Sequence, residues 1–224
     1  MEEYVTLLRR ATRTRVGERF DFDGKVHSMH WVPAVDPIRA FPVILAAIFP
    51  RMVRVAGRCA DGLARGAVIS AKYLRDVIRP AGRGSAAAAD RDPDALSFLT
   101  AGLVSIDPDR EVARRYARES IYALFDPLPH PYYEFTLREQ GFSAAAALKH
   151  MPAGELEHPG DAIPDECIDS ISIAGTADEC LTRLAAYEGV ADEVVCLNLT
   201  PPPEGDLAAA YAPIFELASA FRAA

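Results

Sequence analysis

The residues with the clearest chemical potential lie where an apolar run stops. Phe41-Pro-Val-Ile-Leu-Ala-Ala-Ile48 is continuous and uncharged, and it ends at Phe49-Pro50-Arg51. Such a run marks a strand buried on both faces, as in a parallel sheet. Proline suits the first turn of a helix, and Met52, Val55, Ala56 and Cys59 follow at helical spacing. Ligands of parallel α/β sheets sit at the carboxyl ends of the strands. Backbone N–H groups and the helix dipole there favour an anion, typically a phosphate, and Arg51 adds a charge. A plain strand-to-helix connection has the same composition, so both readings stand on these residues alone. Ala46, Ala47, Ile48, Phe49 and Arg51 are the candidate contacts.

Other chemistry-bearing types are dispersed. The chain has no G-x-G-x-x-G, no Walker loop, no G-x-S-x-G and no H-E-x-x-H. The five histidines (His27, His30, His130, His150, His158) fall mostly in turn-rich segments, where surface or packing roles outweigh catalysis. Asp90, Asp92 and Asp94 alternate as in a calcium loop, but the Gly and terminal Glu of such a loop are missing. A solvated loop is the better reading. Cys59, Cys167, Cys180 and Cys196 lie far apart, with no C-x-x-C and no Cys/His pairing, as expected of reduced, mostly buried thiols. No metal site is expected.

The elements that must position the turn follow a regular order. Glu2–Arg15 reads as a helix, and Phe20-Asp-Phe22 with Asp23-Gly24 and Val26 as a hairpin. After the 41–48 strand and its helix come a strand at Leu63–Ile69 and a short helix at Lys72–Arg79, stopped by Pro80. Residues 80–94 read as loop, with a domain linker as the lesser alternative. A strand at Ala95–Ile106 leads to Asp107-Pro108, a helix start running to about Phe125. Residues 126–160 form a Pro-, His- and Gly-rich excursion with a helical patch near Phe142–Leu148. Ser170–Ala174 is extended, Thr176-Ala-Asp-Glu179 is a capping box, and Gly189 stops the helix that carries Leu181, Leu184 and Tyr187. Glu193–Leu199 is a strand, and Asp206 caps a last helix with Leu207, Tyr211, Ile214, Ala218 and Phe221 on one stripe. Strand–helix alternation of this kind specifies an α/β fold with a parallel sheet and right-handed crossovers.

Composition narrows the function classes. The 224 residues carry 24 Lys+Arg against 32 Asp+Glu, half are hydrophobic and a quarter charged. This profile belongs to a globular chain rather than a disordered one. Basic residues are scattered, which argues against nucleic acid as a partner. The longest apolar stretch is far too short to span a bilayer, so no membrane is expected. Met1-Glu-Glu-Tyr4 has neither a basic nor an apolar leader segment, and the expectation is a cytoplasmic location.

Several segments, in order, carry a family resemblance. Pro42-Val-Ile-Leu-Ala-Ala-Ile-Phe-Pro-Arg-Met-Val-Arg-Val-Ala-Gly-Arg-Cys-Ala-Asp-Gly62 resembles a strand P-v-y-l-A-A-l followed by G-P-x-M and A-G-x-x-A-D-G. Tyr73–Pro80, Val104–Tyr116, Tyr122 with Leu128-Pro-His-Pro-Tyr-Tyr133, Gly141-Phe142, and Ile173-Ala-Gly-Thr-Ala-Asp-Glu179 through Leu199 match later segments. Glu2–Met29 resembles a segment found midway along complete members. The pattern is similar to the luciferase-like flavin and deazaflavin oxidoreductases, especially the branch using coenzyme F-420 that includes methylene-tetrahydromethanopterin reductase.

The resemblance implies a (β/α) barrel of the TIM type, with residues 1–224 a single domain matching the second half of that barrel in about four strands. It implies hydride transfer with F-420, the favoured cofactor, or monooxygenation with FMN. The cofactor's phosphate would lie at Ala46–Arg51. Phe49 stands where the family commonly has Gly or Ser. A half-barrel has unpaired edges, so a homo-oligomer or a second chain completing the barrel is expected, together with a small-molecule substrate. No catalytic residue is assigned; His130 and Tyr132, in the excursion, are the nearest candidates for a proton donor. A non-catalytic binding remnant is the alternative.

Overall fold

A computed structural model describes residues 1–37, 39, 41–124, 131–147, 159–202 and 205–223. In chain order the main elements are α1 (Glu2–Ala11), β1 (Phe20–Asp23), β2 (Ser28–Trp31), β3 (Ile44–Ala46), α2 (Pro50–Cys59) and β4 (Gly62–Arg65). There follow α3 (Ala71–Tyr73), a π-helical turn Leu74–Ile78, α4 (Arg79–Ala87), β5 (Ser97–Ile106) and α5 (Arg110–Ala123). The remainder is α6 (Pro131–Glu139), α7 (Ser143–Ala147), α8 (Asp165–Ile171), β6 (Ser172–Gly175), α9 (Ala177–Ala185), β7 (Glu193–Asn198) and α10 (Leu207–Ala223). No helix among the described residues is long and apolar enough to cross a membrane.

The chain is organised in two compact units. One comprises Met1–Ala64 and Val77–Phe98, the other Arg65–Asp76 and Leu99–Ala224. In the first, β1 and β2 form an antiparallel hairpin, and β3 lies parallel to β4 with Leu45 opposite Leu63. Its core gathers Val5, Phe20, Val53, Ala56, Leu63, Ala86, Leu96 and Phe98. Helices α2 and α4 cross where Gly57 faces Gly82: a Cβ on Gly57 would stand 2.3 Å from the Gly82 carbonyl oxygen. Only glycine permits that approach.

In the second unit β5 runs parallel to β6, with Ile106 opposite Gly175, and parallel to β7, with Ala101 opposite Val195. Its core joins Leu103, Ala117, Ile121, Leu137, Ala145, Ile163, Ile168 and Ile171. The described part of the excursion is therefore core-forming, since Leu137 of α6 and Ala145 of α7 are fully buried. All strand pairs described among β3–β7 are parallel, in agreement with the α/β expectation.

Local differences have identifiable causes. The stop read at Pro80 does not occur: helix runs on as α4, and residues 80–87 of the segment read as loop are helical. The π-helical turn absorbs an extra residue and places Pro80 in the first turn of α4, where a missing N–H costs little. The start of α5 is capped by Asp109, whose side chain accepts the Glu111 N–H at 2.9 Å, rather than by Asp107, which accepts the Asp109 N–H at 2.8 Å. In α10 the buried stripe is Ala210, Ile214 and Leu217, while Leu207 and Tyr211 are exposed. The capping box at Thr176 is formed as read, with the Thr176 N–H donating to Glu179 Oε2 at 3.0 Å. Gly175 is at φ +148, and a Cβ there would meet Glu179 Oε2 at 2.4 Å, so the box and the glycine require each other. Asp206 caps α10 as read, accepting the Ala208 N–H at 2.9 Å.

Candidate functional site

The Ala46–Arg51 segment is a strand end running into a helix. Asp61 anchors its approach: the Val43 N–H donates to Asp61 Oδ2 and the Asp61 N–H to the Val43 carbonyl, both at 2.9 Å. Ala47 continues the ladder, its N–H donating to the Ala64 carbonyl at 3.0 Å, and its side chain is fully buried. Ala46, Phe49 and Arg51 are exposed, and Ile48 is half-buried. Phe49 occupies the N-cap of α2 at φ −84, ψ 151, an extended conformation open to any residue, with Pro50 following it in the first turn. The backbone at this position therefore does not demand a glycine. Phe49 as a whole is 43% exposed.

Residue by residue, the donor supply at this turn is narrow. Pro50 has no N–H, and the Met52 and Val53 N–H groups donate to the Phe49 carbonyl at 2.8 and 3.1 Å. The Arg51 N–H and guanidinium remain to meet a ligand. No side chain caps the helix here, and its first turn contains no acidic residue. At the other end Arg91 donates to the carbonyls of Gly57 and Ala60, both at 2.6 Å, and Arg9 to that of Cys59 at 2.9 Å. Cations on the carboxyl end and an uncapped amino end orient α2 as an anion-facing dipole.

Beside this helix start lies an open cleft of about 670 Å³, lined by α1, the β1–β2 turn and α2. Its acids are engaged. Arg58 Nε donates to Glu2 Oε1 at 2.7 Å. Glu3 accepts the backbone N–H groups of Lys25, Val26 and His27 at 2.6, 2.9 and 3.2 Å. Those bonds, led by Val26 and Lys25, hold the Glu3 carboxyl below its ordinary range. Lys25 and Arg51 line the same cleft, and among the described residues neither has an ion-pair partner.

In the second unit the strand ends present a different set. Arg65 ends β4 at only 4% exposure, a buried cation at a carboxyl end that sequence reasoning missed. Burial lowers its pKa to about 10, with Tyr73 pulling the other way. The signal available was an arginine closing an apolar strand at Gly62-Leu-Ala-Arg65. The loop after it is pinned by Gln140, whose Nε2 donates to the Val68 carbonyl at 2.8 Å while Oε1 accepts the Ser70 N–H at 2.8 Å. A small cavity of about 150 Å³ sits at Ile106, Asn198, Thr200 and Pro213, but Asn198 is already committed to the Thr200 and Ala210 carbonyls. Tyr132, on α6, packs against Tyr133 with ring centroids 4.1 Å apart. His130, His150 and His158 lie outside the described residues.

Comparison with known proteins gives three kinds of match. The family model described as luciferase-like monooxygenase matches residues 1–193. Among curated relatives, the F-420-dependent glucose-6-phosphate dehydrogenase of Mycobacterium tuberculosis is 30% identical over 175 residues, 76% of this chain and 46% of that one. The 5,10-methylenetetrahydromethanopterin reductase of Archaeoglobus fulgidus is 25% identical over 189 residues, 82% of this chain and 55% of that one. Among solved structures, the coenzyme F-420-dependent tetrahydromethanopterin reductase of Methanopyrus kandleri superposes with a TM-score of 0.63 at 18% identity, covering 93% of this chain and 59% of that one. The chain thus spans about half the length of the curated relatives it matches.

Proposed function

The chain belongs to the luciferase-like monooxygenase family, and we propose that it serves an oxidoreductase using coenzyme F-420, with FMN the alternative, whose phosphate lies at Ala46, Ala47, Ile48, Phe49 and Arg51. The observation carrying this reading is the start of α2: a helix terminus with no side-chain cap, no acid in its first turn and Arg51 on its rim. The M. tuberculosis and M. kandleri relatives, both F-420-dependent, favour the deazaflavin.

Bound there, the deazaflavin supplies hydride transfer, and the protein supplies binding, orientation and exclusion of water. Arg51 neutralises phosphate charge, and Asp61 fixes the strand end that sets the turn's position. The full activity on a small-molecule substrate draws on a complete barrel. In the second unit, β7 exposes Val195 (47%) and Leu197 (41%) along its length. Such a strand face is covered when further strands close the barrel, whether supplied by a second copy or by another chain. The free thiols Cys59, Cys167 and Cys180, all buried, accord with a reducing, cytoplasmic setting.

Titration of the purified chain with F-420, followed by the cofactor's own fluorescence, tests the turn. Arg51→Glu should weaken binding about tenfold, the scale of a hydrogen-bonded ionic contact. Phe49→Gly should strengthen it by opening backbone approach. Affinities unmoved by both substitutions would place the phosphate elsewhere.

A further inference from the structure

We propose that His30 is a proton-operated clasp on the β1–β2 hairpin. As an imidazolium it bridges Asp21 and Asp23, and on losing its proton it loosens the strand pair and the turn between the strands. The register places the groups. Asp21 lies opposite His30 and Asp23 opposite Ser28. Side chains alternate along a strand, so these four share one face, and Phe20, Phe22, Met29 and Trp31 share the other. On the polar face His30 Nδ1 is 2.8 Å from Asp21 Oδ1, and His30 Nε2 is 3.1 Å from Asp23 Oδ1. The Ser28 hydroxyl, 3.0 Å from Nε2, donates to the same Asp23 oxygen at 2.8 Å.

A neutral imidazole has one N–H and one lone pair, so it donates to only one of two carboxylates. Here both ring nitrogens face carboxylate oxygens, and the protonated ring alone satisfies both. Deprotonation turns a lone pair toward one of them and replaces an attraction by a repulsion. The neighbouring charges are few. Arg19 Nε donates to Asp21 Oδ2 at 2.7 Å. From α1, Arg10 donates to the Asp21 carbonyl at 3.0 Å and lies over the Phe20 and Phe22 rings. Glu3, also on α1, holds the turn at Lys25, Val26 and His27 through their backbone N–H groups. The bond to Asp21, followed by the charge of Asp23, raises the His30 pKa above its ordinary value. A raised histidine contributes fully below its unfolded value of about 6.5, and the contribution is lost as pH rises through the folded value. The hairpin is where that loss is felt. β1 and β2 form a two-stranded sheet of their own, β2 is exposed throughout, and such a pair is marginally stable in water.

The inference holds whatever occupies the cleft, and its test needs no ligand. Hydrogen exchange of the whole chain, expressed as protection factors so that the intrinsic pH dependence cancels, is compared at about pH 6 and pH 8.5, on either side of the titration. Amides of residues 20–31, the turn included, should lose protection by up to about fivefold on raising the pH, the scale of cross-strand polar pairs. Amides of β5 should not change. In His30→Gln, at an exposed position, hairpin protection should be low at both pH values and the step should vanish. His27→Gln, which changes the other histidine of the hairpin, should keep the step. The NMR titration of the His30 ring should lie above that of the same ring in urea-unfolded chain. Equal protection at the two pH values, a step that survives His30→Gln, or a His30 titration at or below the unfolded value overturns the clasp. Strand amides that respond while those of Lys25 and Val26 do not overturn its reach to the turn.

Discussion

Replacing Gly57 by alanine places a methyl group where α2 and α4 cross. The new Cβ would stand 2.3 Å from the Gly82 carbonyl oxygen and 2.9 Å from Ser85 Cβ. The first neighbour is backbone, so relief requires one helix to move rather than a side chain to rotate. Overpacking of this type costs about 1–3 kcal/mol. Helix propensity acts in the opposite direction, since alanine is favoured over glycine in a helix interior by about 1 kcal/mol. Contact with rigid backbone puts the steric cost at the upper end, leaving a net loss of about 1–2 kcal/mol. For a chain of this size, that lowers the melting temperature by roughly 2–8 °C. Gly84→Ala supplies the internal control. It lies in α4, is exposed, and an added Cβ meets nothing within 4 Å. That variant should gain about 0.5–1 kcal/mol. Thermal and urea unfolding followed by circular dichroism measures both. Opposite signs for the two substitutions are expected; a Gly57→Ala protein as stable as wild type would refute the tight crossing.

Two further perturbations probe the second unit and the cleft wall. Arg114 is 2% exposed and pairs with Asp165 at 3.0 Å and with Asp169, while Arg118 and Arg183 complete the network joining α5, α8 and α9. Arg114→Ala should cost about 2–4 kcal/mol, with Arg114→Met costing less because it retains packing, as urea midpoints will show; the more exposed Asp165 keeps the penalty below that of a fully buried pair. Acid should destabilise the chain by a definite route. The bonds from Val26 and Lys25 lower the Glu3 carboxyl, and Arg114 and Arg118 lower Asp165. Asp169 is also lowered: burial opposes this, but Arg114 and Arg183 outweigh it. Each contribution is therefore fully present above the unfolded-state value near pH 4 and is lost as pH falls through the lower folded value. Stability measured from pH 6 to pH 2 should fall steeply only below about pH 4, and Glu3→Gln should flatten part of that fall.

Much of the local logic was legible because it is written in short spacings. Thr176 and Glu179 stand three apart and form their box; Asp206 stands at the start of α10 and caps it. The strand after Pro42 and the helix after Pro50 likewise follow from neighbouring residues, although β3 is shorter than the apolar run that announced it. What failed depends on tertiary context. Pro80 reads as a stop until a π-helical turn is seen to set its register. The stripe of α10 turns toward Ala210, Ile214 and Leu217 because that face packs, whatever the hydrophobicity of Leu207. Arg65 escaped notice since buried arginines are rare enough to be read as surface. At the site, Arg51 was found by adjacency to the helix start, whereas Lys25 and Glu3 join the cleft through bonds spanning more than twenty residues of sequence.

The central claim is that a cofactor phosphate rests on the start of α2, and diffraction from crystals soaked in F-420 tests it most directly. Phosphate density within about 3 Å of the Arg51 N–H is the predicted result. A phosphate bound at any other strand end, with the Ala46–Arg51 turn bare, would contradict it.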